Sequence, residues 1–357
     1  MGDVNYKSAG VSIETANDTK EKFRDIVSAK GFAHCKPLNR VGAFASLVEL
    51  GLKDFREPVF VLKSEEPGSK QLLSIANNRI EWIARDLVNH LINDIIVMGA
   101  VPCAVLDTII CGKFEKEVVL KLVTEIGEAC AENGCVLVGG ETSEQPGALP
   151  SGRYILQASV LGIVDKSKII DGSAIKCGDK LIALASNGLH TNGYSLVRKL
   201  IDTKPEILDE KIEGESFLDS ILKPHTSYFG AVQAILKKYY SDIHAMAHIT
   251  GGSIYDNLIR VMPGENLQAN IDLQKIKIPP IFALIKKYAG MTDDEMLENS
   301  PFNNGVGLIA VVDAAKSEEI IDTINREGIA AYPIGEISES AGNKKVELHH
   351  NLIWEPN

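Results

Sequence analysis

Hydrophobic positions recur along the chain with two different periods that alternate with each other. Over Ile80–Met98 apolar side chains return every three or four residues, which predicts a helix. Apolar runs rich in β-branched residues, such as Pro102–Cys111 and Lys180–Ala185, predict strands. Because strands and helices alternate over the whole chain, we expect an α/β (α+β) fold.

The same patterns predict the other elements and a domain boundary. Further strands are predicted at Pro58–Leu62, Cys135–Val138, Ile155–Val164, His244–Ile249, Gly305–Val312, Ala331–Ile337 and Lys345–His349. Further helices are predicted at Glu115–Glu132, Gly193–Ile201, Ile254–Val261 and Lys316–Arg326. The stretch Lys63–Lys70 is interpreted as a polar loop. The charged, glycine-containing segment Asp171–Gly178 is the best candidate boundary, which gives two domains, residues 1–170 and 171–357.

Composition narrows the function classes. The 357 residues carry 37 Lys+Arg against 48 Asp+Glu, a net charge of −11, which disfavours general nucleic-acid binding. The first twenty residues lack the apolar core of a signal peptide, and no apolar run is long enough to span a membrane. The six cysteines form no CxxC pair, so we expect reduced core thiols and a cytoplasmic protein.

The helix Ile80–Met98 also has a polar face. Asp86, His90, Asn93 and Asp94 fall within an arc of about 100° on a helical wheel. A solvated helix face is one interpretation. The other is functional, because a carboxylate such as that of Asp94, set among apolar neighbours, needs a metal, a cation or a substrate donor as its partner.

Three glycine-containing loops follow predicted strands. In Gly139–Gly147 two glycines would let the backbone approach a phosphate beside Glu141, although a tight turn with an exposed acid explains the pattern as well. Asn187–Gly193 precedes a helix, so its amides could hold an anion near His190, which is otherwise an exposed loop histidine. His248–Gly252 repeats that design. Neither GxxxxGK[ST] nor GxGxxG occurs.

Several motifs, spread over nearly the entire chain, occur in the same order as in one known protein family. They are Tyr6–Val11, Asn93-Asp94 with Gly99–Pro102, Leu106-Asp107 with Gly112-Lys113, Gly139–Gly147, His190–Lys199, Ala247–Gly252 and Phe302–Gly307. Together they resemble aminoimidazole ribonucleotide synthetase, the phosphoribosylformylglycinamidine cyclo-ligase family of purine biosynthesis. Thiamine-monophosphate kinase, selenophosphate synthetase and the hydrogenase-maturation dehydratase belong to the same superfamily.

The resemblance implies a fold and a reaction. It implies an N-terminal domain that binds ATP and whose strands pair across a homodimer into a β-barrel, followed by a C-terminal α/β domain that binds the substrate. ATP would lie at the barrel and a small ribonucleotide in the cleft between domains, with no nucleic-acid or membrane partner. The implied reaction is an ATP-dependent ring closure in which ATP phosphorylates an amide oxygen, a nitrogen attacks, and phosphate leaves with Mg²⁺ neutralising charge.

Motif positions imply the site residues. The carboxylates expected to face Mg²⁺ are those of Glu65, Asp94 and Glu141. The residues expected at ATP are Gly68, Ser69 and Lys70 on the phosphates and Asp107 at the nucleotide end. Asp94 and His190 are the expected catalytic residues, His190 for proton transfer or substrate polarisation. The residues expected at the ribonucleotide are Asn192, His248, Thr250, Gly251 and Gly252.

The chain departs from the family around the nucleotide. The family loop Thr-Asp-Gly-Val-Gly-Thr-Lys corresponds to Ser64–Lys70, in which Glu66 replaces a glycine and adds bulk and negative charge. The glycine-rich segment near Gly42–Ser46 is altered, while Pro224–Tyr228 and the longer Glu295–Asn303 lack an expected arginine. Two alternatives stay open beside the cyclo-ligase. One is a related ATP-using enzyme with another small phosphorylated or amide substrate, and the other is a non-catalytic dimer that senses a nucleotide.

Overall fold

A computed structural model describes residues 32, 34–39, 43–264, 266–297, 300–340, 342 and 344–354. The chain divides into two compact units, one of Met1–Ile95 with Ala100–Ser167 and one of Ile96–Gly99 with Lys168–Asn357. The predicted motif Tyr6–Val11 and the glycine at position 42 lie outside the described residues.

The first unit is a four-stranded sheet with helices. Its strands are β3 (Pro58–Glu65), β4 (Val101–Cys111), β5 (Val136–Glu144) and β6 (Tyr154–Asp165), and the small strands β1 (Cys35–Pro37) and β2 (Val48–Leu50) pair separately. Its helices are α1 (Lys70–Ala76), α2 (Ile80–Ile96) and α3 (Lys116–Glu132). The sheet order is β3-β6-β4-β5, and β4 and β5 are parallel while the other pairs are antiparallel. Within the described residues this sheet is open, with β3 and β5 at its edges.

The apolar face of α2 forms the core of this unit. Ile83, Leu87 and Leu91 are fully buried, as the period of the sequence predicted. Near the end of the helix, a Cβ added to Gly162 of β6 would lie 2.9 Å from Ile95 Cδ1. The glycine therefore lets helix and strand approach closely, which sets the height of the polar residues of α2 above the sheet.

The second unit is a six-stranded sheet in the order β10-β12-β7-β13-β11-β14. The strands are β7 (Lys180–Ala185), β10 (Ile243–His248), β11 (Leu267–Asp272), β12 (Val306–Val312), β13 (Ala331–Glu339) and β14 (Val346–His349), with a small hairpin of β8 (Lys211–Ile212) and β9 (Glu215–Ser216). The helices are α4 (Tyr194–Thr203), α5 (Phe217–Leu222), α6 (Phe229–Tyr239), α7 (Ser253–Leu258), α8 (Pro280–Ala289), α9 (Asp293–Leu297) and α10 (Ser317–Arg326). Every residue of β12 is buried, as expected for an inner strand with both faces covered.

Two predicted boundaries are wrong for the same physical reason. The first three residues of Lys63–Lys70 are strand rather than loop, because Lys63, Ser64 and Glu65 continue the ladder opposite β6. The strand predicted to end before Gly139-Gly140 runs on through both glycines to Glu144, because it pairs with β4 along its whole length. In both places a neighbouring strand supplies hydrogen bonds that local composition does not reveal.

Other features of the chain differ from expectation in smaller ways. Elements that the periodicity did not predict are the helices α1, α5, α6, α8 and α9 and the strands β1, β2, β8, β9 and β11. Five cysteines are buried free thiols as predicted, whereas Cys177 is exposed, because it lies in the turn before β7 and not in a core element. None of the described helices combines the length and apolar character needed to cross a bilayer.

Candidate functional site

In the first unit, the polar face of α2 points into the protein. Asp86, His90 and Asn93 are buried, and Asp94 is half-buried. The interpretation of this face as a solvated surface is therefore wrong. Buried polar groups require partners, so these side chains must be paired inside the protein.

Lys63 is the centre of the ion pairs on this face. Because successive side chains of a strand alternate, Lys63 and Glu65 share one face of β3. Lys63 Nζ lies 2.9 Å from Asp94 Oδ2 and 3.0 Å from Glu65 Oε2, and His90 Nε2 lies 3.7 Å from Glu65 Oε2. Burial lowers the pKa of Lys63, but the hydrogen bonds and charges of Asp94 and Glu65 outweigh it and raise that pKa above its usual value.

The three predicted metal ligands lie in two different places in the first unit. Glu65 and Asp94 do meet, and carboxylate oxygens suit Mg²⁺. An ammonium group already lies against both of them, so as they stand the two carboxylates do not fit a divalent ion. Glu141 is exposed on β5, at the opposite edge of the sheet from Glu65, three strand spacings of about 4.8 Å away. The structure thus does not bring the three predicted ligands together.

Lys70 begins α1 and is fully buried against Asp86. Its Nζ lies 2.8 Å from Asp86 Oδ1, and neither side chain has any exposed surface. Burial lowers the pKa of Lys70, while the charge of Asp86 and the hydrogen bond to it act against that shift. Before it, Gly68 and Ser69 are half-buried and Gly68 has φ +59°, a left-handed conformation suited to glycine. The loop geometry places Lys70 inside the unit, and its contact with ATP phosphates stays a prediction.

Asp107 on β4 lies directly across the sheet from Glu65 on β3, with Ala158 of β6 between them. Glu65 pairs with Ala158, which pairs with Asp107, which in turn pairs with Gly140. A Cβ on Gly140 would overlap Asp107 Oδ1, so the glycine makes room for this carboxyl group. Asp107 is buried, and burial together with the nearby charge of Glu141 raises its pKa to about 7.

Three histidines meet in the second unit. His190 follows β7, His225 precedes α6, and His248 ends β10, and all three are buried. The rings of His190 and His225 are stacked with centroids 3.9 Å apart and an interplanar angle of 24°. His225 Nε2 lies 2.9 Å from His248 Nε2. The alternative that His190 is merely an exposed loop histidine is wrong.

Hydroxyl groups continue this cluster on both sides. Thr226 Oγ1 lies 3.3 Å from His190 Nε2, and Thr191 Oγ1 lies 3.4 Å from His225 Nδ1. A Cβ on Gly307 would overlap the hydroxyl group of Tyr228 and come within 2.8 Å of His190 Cε1. The second glycine of the motif Phe302–Gly307 is therefore needed so that His190 can sit against β12.

The two glycine loops that the sequence singled out lie side by side. A Cβ on Gly251 would be 3.3 Å from Asn192 Oδ1. Asn257 Nδ2 donates hydrogen bonds to Gly251 O at 3.2 Å and to Ser253 O at 2.7 Å, and these bonds hold the second loop in place. The structure thus gathers His190, Asn192, His248 and Gly251 in one unit, with Thr250 and Gly252 beside Gly251.

Asn303 holds the first of these loops. Its Nδ2 donates a hydrogen bond to Gly188 O at 2.9 Å, and its Oδ1 accepts one from Ser186 Oγ at 2.8 Å. It also accepts from the amide of Gly305 at 2.9 Å, so one side chain ties the loop to the start of β12. This contact explains physically why the loop after β7 and the segment before β12 belong to one site.

Sequence reasoning missed Lys63 and His225. Lys63 could have been found from its position two residues before Glu65, which puts both on one strand face once the strand is extended. His225 was noted only within a segment that lacks an arginine. Nothing in its local pattern indicates that its ring reaches His248.

Comparisons with known proteins cover both units. Residues 61–164 match the N-terminal domain model of the AIR synthase related proteins, and residues 176–346 match the C-terminal domain model. The chain is 38% identical over 340 residues to the phosphoribosylformylglycinamidine cyclo-ligase of Methylobacillus flagellatus. The matched region covers 95% of this chain and 96% of the relative.

Solved structures share the fold. The E. coli hydrogenase maturation protein HypE superposes with a TM-score of 0.64 at 16% identity and 93% coverage of both chains. Thiamine-monophosphate kinase from Stenotrophomonas maltophilia K279a gives a TM-score of 0.62 at 14% identity, covering 92% of this chain and 94% of that one. These likenesses concern the two-domain α/β fold, while the family follows from the domain matches and the close relative. The chain belongs to the aminoimidazole ribonucleotide synthetase, or phosphoribosylformylglycinamidine cyclo-ligase, family.

Proposed function

We propose that this chain is a ligase of purine biosynthesis that uses ATP to cyclise formylglycinamidine ribonucleotide to 5-aminoimidazole ribonucleotide. The observation that carries the proposal is the 38% identity, over nearly the full length of both chains, to a relative named as that cyclo-ligase. The second unit agrees with it, because the expected ribonucleotide residues form one cluster there.

The reaction follows from the chemistry of an amide. An amide oxygen leaves poorly, so the terminal phosphoryl group of ATP is first transferred to the formyl oxygen, which gives ADP. The neighbouring amidine nitrogen then attacks the formyl carbon, the C–O bond breaks, and phosphate leaves with that oxygen. A proton lost from the attacking nitrogen completes the balance. The protein has to orient two anions and accept this proton.

The roles proposed for the second unit follow its geometry. The backbone amides of Thr250 and Gly251 would bind the phosphate of the ribonucleotide, with Asn192 beside them, while the amide of Gly252 already donates to Ser300 O and holds the loop in place. His190 would accept or donate a proton, because imidazole titrates near neutral pH and this ring is held by Thr226 and the stacked ring of His225.

The first unit is the proposed site for ATP. Gly68, Ser69, Lys70 and Asp107 are the proposed contacts, and one structural neighbour, a HypE protein of TM-score 0.63, is described as a complex with ATP. We propose Mg²⁺ as the counter-ion that arrives with the ATP phosphates. No step is routed through a metal on Glu65, Asp94 or Glu141, because the ammonium group of Lys63 contacts the first two carboxylates and Glu141 lies at the opposite edge of the sheet.

A homodimer in the cytoplasm completes the proposal. Several large apolar side chains of the first sheet are exposed, among them Phe60 at 54%, Leu62 at 76% and Leu106 at 45%. An open sheet with exposed apolar side chains is suited to pairing with a second copy, which supports the barrel expected across a dimer. The free thiols are typical of a reducing compartment.

Turnover of the purified protein tests the proposal. Mg-ATP and formylglycinamidine ribonucleotide are supplied, and phosphate and 5-aminoimidazole ribonucleotide are followed together. We expect both products in a one-to-one ratio. We also expect a loss of turnover in His190→Asn but not in His350→Asn, a control whose histidine is exposed and pairs with Asp272. ATP binding without the product would favour the related enzyme with another substrate, and no ATP binding would favour the non-catalytic dimer.

A further inference from the structure

We propose that Lys63 is the resident cation of the first-unit site, so that Glu65 and Asp94 bind its ammonium group in place of a divalent metal ion. The ammonium geometry stands by itself, whereas its meaning for catalysis rests on the proposed cyclo-ligase function. Lys63 lies outside all of the motifs that the sequence shares with the family.

The contacts place one positive charge between two carboxylates from different elements. Lys63 and Glu65 come from β3 and Asp94 comes from the last turn of α2, and the two N–O distances are 2.9 and 3.0 Å. The exposed fractions of the side chains are 37% for Lys63 and 21% for each carboxylate. Lys63 thus joins strand to helix, as a bridging metal ion would.

A metal ion and this ammonium group exclude each other. Mg²⁺ binds oxygen at about 2.1 Å, so an ion bound by both carboxylates would lie close to the ammonium group that already contacts them. Two cations within about 4 Å of each other repel strongly in a partly buried site. Since the carboxylates bring two negative charges and Lys63 one positive charge, the ammonium leaves one net negative charge. That charge is too small to hold a divalent ion without displacing Lys63.

The arrangement also gives Lys63 a role toward a phosphate. An ammonium group has three hydrogens, and two of them are directed to Asp94 and Glu65. The third can be donated to a phosphoryl oxygen, as a point charge that needs no metal. In this chain Lys63 would therefore neutralise phosphate charge where Glu66 has replaced a glycine of the family loop.

Manganese titration tests the proposal without ATP, substrate or turnover, so its failure would leave the cyclo-ligase proposal standing. Free Mn²⁺ is followed by electron paramagnetic resonance in the wild type, Lys63→Met, Lys63→Arg and the control Lys166→Met, which breaks the exposed pair of Lys166 with Glu57. We expect one Mn²⁺ site in Lys63→Met that binds at least roughly tenfold more tightly than anything in the other three proteins. Asp94→Asn added to Lys63→Met should abolish it.

Two results would overturn the inference. One is a wild-type protein that binds one Mn²⁺ tightly and loses it on Asp94→Asn, because Lys63 would then not exclude the ion. The other is a folded Lys63→Met protein that gains no site. If Lys63→Met does not fold, Lys63→Gln replaces it, and the wild-type titration alone still decides the first of these results.

Discussion

His225 Nε2 lies 2.9 Å from His248 Nε2, and both rings are buried. Across this contact one nitrogen carries the hydrogen and the other accepts it, so the orientation and tautomer of each ring depend on those of the other. The opposite nitrogen of His225 faces Thr191 Oγ1, and its ring face stacks on His190. His225 is thus a positioning residue that joins the predicted catalytic histidine to a predicted ribonucleotide-binding histidine.

The first prediction concerns His225→Leu. Losing a buried hydrogen-bonding partner should lower the free energy of unfolding by about 1–3 kcal/mol. His248 should lose its orientation, which raises the KM for the ribonucleotide. His225→Gln keeps a donor and an acceptor and should recover part of both effects. Urea unfolding and steady-state kinetics check this, and an unchanged KM in folded His225→Leu would show that the ring does not position the site.

The second prediction concerns the buried pair of Lys70 and Asp86. Lys70→Met alone should lower the free energy of unfolding by about 3–5 kcal/mol, because it leaves the charge of Asp86 buried without its ammonium partner. The double variant Lys70→Met with Asp86→Leu should recover most of that loss. Urea unfolding measures both. Equal instability of the single and double variants would contradict this account of the pair.

The same double variant tests the predicted contact of Lys70 with ATP. Because we expect this variant to retain a stable fold, its ATP affinity reports on the ammonium group itself and not on unfolding. A weaker affinity would support the phosphate contact, and an unchanged affinity would remove Lys70 from the proposed ATP-binding residues.

The third prediction uses the raised pKa of Asp107. Its folded pKa of about 7 exceeds the ordinary value of 3.8, so the folded state binds this proton more tightly than the unfolded chain does. Its contribution to stability is therefore fully present below about pH 4 and is lost as pH rises to about 7. That difference amounts to at most about 4 kcal/mol. Asp107→Asn should gain stability relative to the wild type by up to this amount between pH 4 and 8.

Urea unfolding across that pH range measures the effect. The exposed Asp54→Asn serves as the control and should keep the wild-type profile. Parallel profiles for Asp107→Asn and the wild type would mean that Asp107 is not held in the protonated form by its burial.

The fourth prediction concerns Glu66, an exposed residue in the proposed ATP loop. Glu66→Gly removes a negative charge and a side chain where phosphate oxygens would approach, so ATP should bind more tightly, by roughly threefold to tenfold. Isothermal titration with ATP checks this, with Glu117→Gln in the first turn of α3 as a charge-matched control. No change in ATP affinity would show that this loop lies away from the nucleotide or that the pocket is closed.

Much of the fold follows from the sequence because hydrophobic period is a local property. The helix Ile80–Met98 and the strand Lys180–Ala185 were predicted within two residues of their observed bounds. The family was identified from motif order and is confirmed by the domain matches and the close relative. The sequence gives the loops that carry His190 and Gly251 the same design, and in the structure these two loops are adjacent.

Contacts between distant segments could not be predicted. β5 runs through Gly139-Gly140 because β4 lies beside it, which no local pattern encodes. Lys63 joins Asp94 across 31 residues, and His225 joins His248 across 23, so both depend on how strands and helices pack. The position of Glu141, at the sheet edge opposite Glu65, could not be predicted for the same reason, since it follows from the order of the strands in the sheet.

The most direct measurement of the central claim follows one oxygen atom. Formylglycinamidine ribonucleotide carrying ¹⁸O in its formyl group is turned over with unlabelled ATP, and the phosphate and the water are analysed by mass spectrometry. If ATP phosphorylates the amide oxygen, the label appears in phosphate, one atom for each 5-aminoimidazole ribonucleotide formed. Label released into water, with unlabelled phosphate, would contradict the proposed mechanism.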